Sequence, residues 1–475
     1  MLFSSLEFLF FLIAVIIIYY LIPNNTLRKV FLLVSSYYFY ACWSVAFLAI
    51  LFYETALSYG IGFSFKDKKT KIDKWKLIVS IFMLLMPLLC FKYLNFILGF
   101  FGDFASIFGW VLHIPEFKLL LPIGISFYTF MSVGYVIDVY QERIKPEKNV
   151  LDYALFIGFF PQIASGPIGR APQLLPQIKM KHLLLYDNIA AGCRMMLWGF
   201  FMKLVVGDRA GIYVDTVFGN WEHHNGTSLL LATFMYTIQI YCDFAGYSLI
   251  AIGTAKTMGY ELMNNFERPY FSKNIGEFWR RWHISLSTWF RDYVYIPLGG
   301  SRVSKAKVIR NTFVIFLLSG FWHGANWTFI VWGAYHAILF LPLILTGRNR
   351  KYTNLIGEGR ILPTLKEAGQ MLLTFILAVI GWIIFRAESI GVAWEFFCGM
   401  CNTSLFTAPE AKGNSALIMN ILVLLVVEWL QRDKLHAFDL SAINNGFVRW
   451  AVYFGVLFLL FAFGGNATNF IYFQF

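Results

Sequence analysis

Charge is scarce in this chain. Only 14% of its 475 residues are Asp, Glu, Lys or Arg, where an average soluble domain carries roughly a quarter. The polar links between its apolar runs are short, so no soluble domain fits anywhere along it. Internal repeats and low-complexity segments are also missing, which argues against the inverted-repeat design of many transporters. Six cysteines supply no disulfide framework: Cys42, Cys90, Cys193 and Cys242 lie singly in apolar segments. "CGMC" (398–401) has redox spacing but no thioredoxin-like surroundings. No His/Cys grouping is spaced for zinc, so no metal site is expected. The chain has no G-x-S-x-G elbow and no P-loop, which excludes a serine-esterase mechanism and an NTP-driven pump within it. No basic residue precedes the first apolar run and no small-residue cleavage site follows it, so it reads as a retained helix and not a signal peptide.

What the chain has in abundance is apolar surface: 58% of residues are hydrophobic and 19% aromatic. A helix needs about 20 apolar residues to cross a ~30 Å hydrocarbon core. Runs near that length fall at 8–22, 30–51, 77–101, 119–139, 229–252, 327–345, 372–385, 416–430 and 447–463. The expectation is an all-α, polytopic integral membrane protein, one membrane-embedded domain over 1–475, with roughly ten to twelve crossings plus interfacial and re-entrant pieces. The formal charge of +12 does not point to nucleic acid, because the basic residues cluster in the links 66–76, 143–148, 301–310 and 347–354. That is the positive-inside pattern, which places these links on the cytoplasmic side. Alternatively, any one of them is a patch for an acidic partner or for CoA phosphates.

Polar residues at membrane depth concentrate between about 120 and 340. Pro, Gly and ionisable residues break the runs there, in "LLLPIGISFYTF" (119–130), "GFFPQIASGPIGRAPQ" (158–173) and "IYCDFAGYS" (240–248). Broken helices survive at that depth only where protein or a water-filled cavity satisfies the freed backbone. The middle of the chain is therefore expected to surround a cavity, with Gln162, Ser165 and Arg170 as candidate lining residues. Asp243 either orients a histidine or arginine, or caps a broken helix.

Two stretches stand out. In "EFWRRWHISLSTWFRDYVYIPLGG" (277–300), Trp279, Trp282, Leu286 and Trp289 fall at helical spacing, with Arg280, Arg281 and Arg291 off that stripe. This predicts an amphipathic interfacial helix, with His283 beside the stripe and facing inward. In "LLSGFWHGANW" (317–327), a straight helix from 311 to 345 would be roughly 50 Å long, more than one crossing needs. The chain must break near 320–326, leaving His323 at a helix end part-way through the bilayer, beside Trp322 and Asn326. Ionisable groups at that depth are costly and are functional candidates. A neutral imidazole is also suited to take a proton from a hydroxyl near neutral pH. The bland alternatives are a core histidine and a simple interfacial anchor. His336 falls on another helical face and reads as structural.

"FWRRWHISLSTWFRDYVYIPLGG" followed by "SGFWHGANWTFIVWGAYHA" resembles the membrane-bound O-acyltransferase (MBOAT) family. The likeness is to its bacterial branch of alginate O-acetylase, peptidoglycan O-acetyltransferase and D-alanyl transferase membrane subunits. "MLFSSLEFLFF", "FFPQIASGPIGR", "YCDFAGYS" and the ending "FIYFQF" are similar to that branch as well. The resemblance implies a ring of tilted helices around a central funnel and tunnel. It matches His323 to the family's near-invariant histidine and His283 to its second one. It further implies no permanently bound cofactor, an acetyl-CoA or carrier-protein thioester donor, and an extracytoplasmic polysaccharide acceptor. With it come an SGNH-type transferase partner and a place in the inner (cytoplasmic) membrane. Trp322, Asn326, Arg281, Asp243, Gln162 and Arg170 are then expected to line or support the tunnel. A transporter of a lipid-linked saccharide, using the same histidines, is the alternative from a different class.

The chain ends in "NFIYFQF" (469–475), with no charged side chain. Aromatic residues at a terminus need a place to be buried, either the funnel or the membrane interface. The resemblance implies more, because the branch's C-terminal motif carries a tyrosine thought to receive the acyl group, and Tyr472 matches it. A phenol, with a pKa near 10, needs a general base to attack a thioester, and His323 is the expected one.

Overall fold

The computed structural model describes residues 1–65, 70–111, 113–115, 117–164, 166–348, 354–411, 413–436 and 438–465. Tyr472 and the tail 466–475 lie outside the described residues, as do Ser165 and parts of the basic links 66–76 and 347–354. Among the described residues all regular structure is helical and there is no strand. Among the described residues six helices are long and apolar enough to cross a membrane: Lys71–Ile107, Tyr186–Phe218, Gly226–Thr257, Trp327–Leu345, Leu365–Arg386 and Gly446–Phe463. Shorter apolar helices span Leu6–Leu21, Leu48–Gly62, Val150–Ile163, Ile390–Met400 and Ser415–Leu430. The chain is a multi-pass membrane protein.

Full-length helices are fewer than the apolar runs predict, and two runs show why. The run 30–51 is not one helix: Asn25–Ala41 ends and Leu48–Gly62 begins across a turn. The run 119–139 turns helical only at Ile125, after Pro122 and Gly124. Gly124 holds a left-handed backbone (φ 72°), and a Cβ there would lie 2.0 Å from the Ile163 carbonyl oxygen. Glycine alone meets both demands without strain.

The described residues group into two compact units. One comprises 1–189 with 254–263, and the other the remaining described chain. In the first, helix Ile125–Tyr140 is buried along almost its whole length. A helix enclosed on all sides must satisfy its polar groups internally. Thr129 accordingly donates to the buried Glu54 carboxylate (3.4 Å), and Asp138 pairs with Arg143 (3.0 Å). Lys29 and Asp152 (2.6 Å) and Tyr153 with Ser58 (2.6 Å) add further polar ties.

The second unit has an apolar core of Val217, Leu229, Ala232, Ile383, Phe396 and Met400. Helices Tyr186–Phe200 and Gly226–Thr257 meet at Gly199 and Gly246, where a Cβ on either would lie 2.7 Å from the other's carbonyl oxygen. Beyond Gly199 the first helix widens into a π-helical turn, Phe201–Gly207, before continuing as Asp208–Phe218. Lys203 lies in that turn, fully buried, and pairs with Asp208 (2.7 Å) and with Asp243.

Candidate functional site

Helix Lys305–His323 and helix Trp327–Leu345 form the hairpin that carries His323. They come together through glycines: a Cβ on Gly320 would sit 2.2 Å from the Phe329 carbonyl oxygen, and one on Gly333 2.4 Å from that of Phe316. The predicted break is present, and His323 is the last residue of its helix. That helix begins at Lys305, earlier than the basic link suggested, and is about 28 Å long. Gly324 ends it under the Phe329 ring, where a Cβ would lie 2.1 Å from a ring carbon. Asn326 caps the next helix, accepting from the Thr328 N–H (3.0 Å) while its Nδ2 donates to the Glu388 carbonyl (2.9 Å). Side-chain caps of this kind satisfy the orphan N–H groups of a first turn.

The imidazole of His323 is buried and boxed by rings met edge to face: Trp322 at 5.0 Å, Trp332 at 5.1 Å and Phe385 at 5.2 Å between centroids. Trp322 reaches both histidines, its ring lying 5.7 Å from that of His283. His336 belongs to the same aromatic assembly, accepting from Trp279 Nε1–H at Nδ1 (3.3 Å) and packing against Trp332. Its remaining nitrogen therefore carries the hydrogen, and that buried Nε2–H has no acceptor among the described residues, like the Nε1–H groups of Trp332 and Trp382.

The stretch 277–300 departs from the expected single amphipathic helix. Two seven-residue helices, Ile275–Arg281 and Ile284–Phe290, are separated at His283, whose backbone is left-handed (φ 43°, ψ 55°). That conformation is uncommon for a residue with a Cβ and marks a constrained position. The inward orientation holds: Trp282, His283, Leu286 and Trp289 are buried. Arg281 staples the segment, pairing with Glu277 (2.8 Å) and donating to the Glu267 carbonyl (3.2 Å). His283 Nδ1 lies 3.0 Å from Asn265 Oδ1.

"IYCDFAGYS" lies inside the unbroken helix Gly226–Thr257, so Asp243 does not cap a broken helix, and it pairs with Lys203. Gly246 serves the close helix approach and not a break. Gln162 and Arg170 are buried in the first unit. Gln162 donates to the Phe156 carbonyl (2.8 Å), and its Oε1, against Gly169, has no hydrogen-bond partner among the described residues. Arg170 is the residue preceding helix Ala171–Lys179.

Sequence reading passed over Lys203, Asn265, Trp332 and Phe385. Lys203 was legible as a lone cation in the apolar run "WGFFMKLVVG". Asn265, in "ELMNNFERPY", gives no signal until the loop is folded.

A cleft of about 580 Å³ in the second unit is lined by Arg268, Arg280, Arg281, Arg432 and Lys434, with Glu267, Glu277 and Asp433 also on its walls. Arg268 is tied to the Gln431 carbonyl (2.8 Å) and the Lys434 carbonyl.

Residues 142–366 match the model of the MBOAT, membrane-bound O-acyltransferase family. The chain is 40% identical to a probable alginate O-acetylase of Pseudomonas aeruginosa over 412 residues, covering 86% of this chain and 76% of that protein. It is 34% identical to a peptidoglycan O-acetyltransferase of Helicobacter pylori, covering 76% and 71%. A teichoic acid D-alanyltransferase of Bacillus subtilis is 34% identical over a shorter region, 48% of this chain and 60% of that protein. With two buried histidines joined through one tryptophan at the end of a membrane helix, and with these likenesses, the chain belongs to the membrane-bound O-acyltransferase family and is an O-acyltransferase.

Proposed function

We propose that this protein moves acetyl groups from a cytoplasmic thioester to hydroxyl groups of an extracytoplasmic polysaccharide, from the cytoplasmic membrane of a bacterium. The observation that carries the reading is the placement of His323, buried at a helix terminus among Trp322, Trp332 and Phe385. The acetyl group and the polymer class are supported by the activities for which the alginate and peptidoglycan relatives are named.

His323 acts as general base. It takes the proton of the attacking hydroxyl as the oxygen adds to the thioester carbonyl, and the proton passes to the departing thiolate. His283 lines the route or assists proton transfer. Trp322 and Asn326 hold the end of the hairpin, and Arg281 holds the His283 segment through Glu277. Asp243 supports the fold around the route, and Gln162 and Arg170 support the fold of the first unit. The donor is acetyl-CoA or a carrier-protein thioester, and the cleft of Arg280, Arg281, Arg432 and Lys434 offers cations to its phosphates. Tyr472 is read as a transient carrier: its phenol displaces the thiol, forming an aryl ester that the acceptor hydroxyl then cleaves. An SGNH-type transferase outside the membrane completes delivery to the polymer.

The test is transfer from radiolabelled acetyl-CoA by protein purified in detergent together with its partner. Wild type should consume the thioester and His323→Ala should not. A wild-type protein inert toward both acetyl-CoA and carrier thioesters would point instead to lipid-linked saccharide transport.

A further inference from the structure

Three donors converge on one oxygen of Asn265. Its Oδ1 lies 2.9 Å from Ser285 Oγ, 3.3 Å from the Ser285 backbone nitrogen and 3.0 Å from His283 Nδ1. A backbone N–H can only donate, so the atom facing Ser285 must be the amide oxygen and not the nitrogen. The other end of the amide agrees, since Nδ2 donates to Ser248 Oγ at 3.0 Å. The amide is thus held from both sides and cannot be flipped without losing bonds at each. The main chain reinforces it, because the Ile284 N–H donates to the Asn265 carbonyl (2.9 Å).

The assignment has a consequence for His283. Facing an atom that only accepts, Nδ1 must carry the ring hydrogen. A neutral imidazole has one N–H, so Nε2 keeps its lone pair. The left-handed backbone at His283 belongs to the same device. It interrupts the two short helices so that His283 and Ser285 meet one amide oxygen at once. Phe244 (4.6 Å between centroids) and Trp322 (5.7 Å) hold the ring edge to face.

We propose that Asn265 is a positioning residue which locks His283 in the Nδ1–H tautomer, so that Nε2 carries the lone pair and is the proton-accepting nitrogen of the transfer site. The proposal rests on the reading of His283 as part of that site. Asn265 acts through the histidine.

The tautomer can be read directly. Protein labelled with ¹⁵N-histidine gives distinct signals for hydrogen-bearing and lone-pair ring nitrogens, and His283→Ala identifies the pair belonging to His283. Wild type should show a hydrogen-bearing Nδ1. Asn265→Leu removes the acceptor at similar volume. It should redistribute the tautomers and lower kcat by about tenfold or more, with the KM for the thioester unchanged, as loss of a correctly poised base does. Asn265→Asp retains an accepting oxygen and should restore both the Nδ1–H signal and most of kcat. A hydrogen on Nε2 in the wild-type protein, or an Asn265→Leu variant with unchanged signal and kcat, overturns the proposal. The wild-type spectrum needs no substitution, so it decides the matter even if Asn265→Leu fails to fold. Full activity in His283→Ala would remove the catalytic reading of His283 while leaving the tautomer assignment to be judged on its own.

Discussion

Gly320 packs against the carbonyl oxygen of Phe329 so closely that a methyl group would lie 2.2 Å from it. Backbone cannot yield as a flexible side chain can, so Gly320→Ala must push the two arms of the hairpin apart. His323 sits one turn further along the same helix and will move with it. We predict a destabilisation of about 1–3 kcal/mol together with a loss of transfer activity larger than the stability change explains. Gly369→Ala, where nothing lies within 4 Å, is the matched control and should be neutral in both melting temperature and rate.

Lys203 pairs with two carboxylates from a fully buried position. Removing it alone takes away the ammonium that Asp208 and Asp243 share. Lys203→Met is predicted to cost about 3–5 kcal/mol, the usual penalty for breaking a buried pair from one side. The triple variant Lys203→Met, Asp208→Asn, Asp243→Asn should recover most of that loss, because it removes the charges altogether. Thermal unfolding in one detergent compares them, and a triple variant no more stable than the single one would contradict this account.

His182 lies outside the spanning helices, half-buried against Tyr260 (4.2 Å between ring centroids), and donates from Nε2 to the Gln177 carbonyl (2.9 Å). Burial lowers its pKa from the ordinary value, and the nearby Arg28 lowers it further. The fold therefore disfavours the charged ring. The stability contribution is complete above the unfolded-state pKa near 6.5 and is lost as pH falls through that value toward the lowered folded one. His182→Phe should flatten this part of the stability profile below about pH 6.5. An unchanged acid limb in the variant would exclude His182 as a contributor.

Tyr472→Phe keeps the ring and removes only the hydroxyl. Expression and melting temperature should stay at wild-type levels while polymer acetylation is abolished, and mass spectrometry of the wild-type C-terminal peptide should find an added acetyl group. Full acetylation by the variant would leave the tail as an aromatic anchor.

Much of the architecture was legible because hydrophobic length and ionisable rarity are properties of the chain itself. The break after His323 followed from helix length alone, and the inward face of Trp282 and Leu286 from their spacing. The break at His283 was not legible, since it depends on Asn265 arriving from another loop to reward a left-handed residue. The continuity of the helix through Asp243 was missed for a related reason: Gly246 looks like a helix breaker until Gly199 is seen opposite it. Apolar runs also overstated helix continuity, because a run such as 30–51 records greasy surroundings and not an unbroken helix axis.

The charges of the buried triad are split between two spanning helices, and that division bears on how the protein is made. Lys203 and Asp208 enter the bilayer on Tyr186–Phe218, and Asp243 on Gly226–Thr257. Each such group at a helix centre costs about 2.5–3.5 kcal/mol on insertion scales when it enters alone. Lys203 and Asp208 offset each other within the first helix, whereas Asp243 reaches Lys203 only across the hairpin. Holding the first helix until the second has emerged therefore lowers the cost of bringing Asp243 into the bilayer.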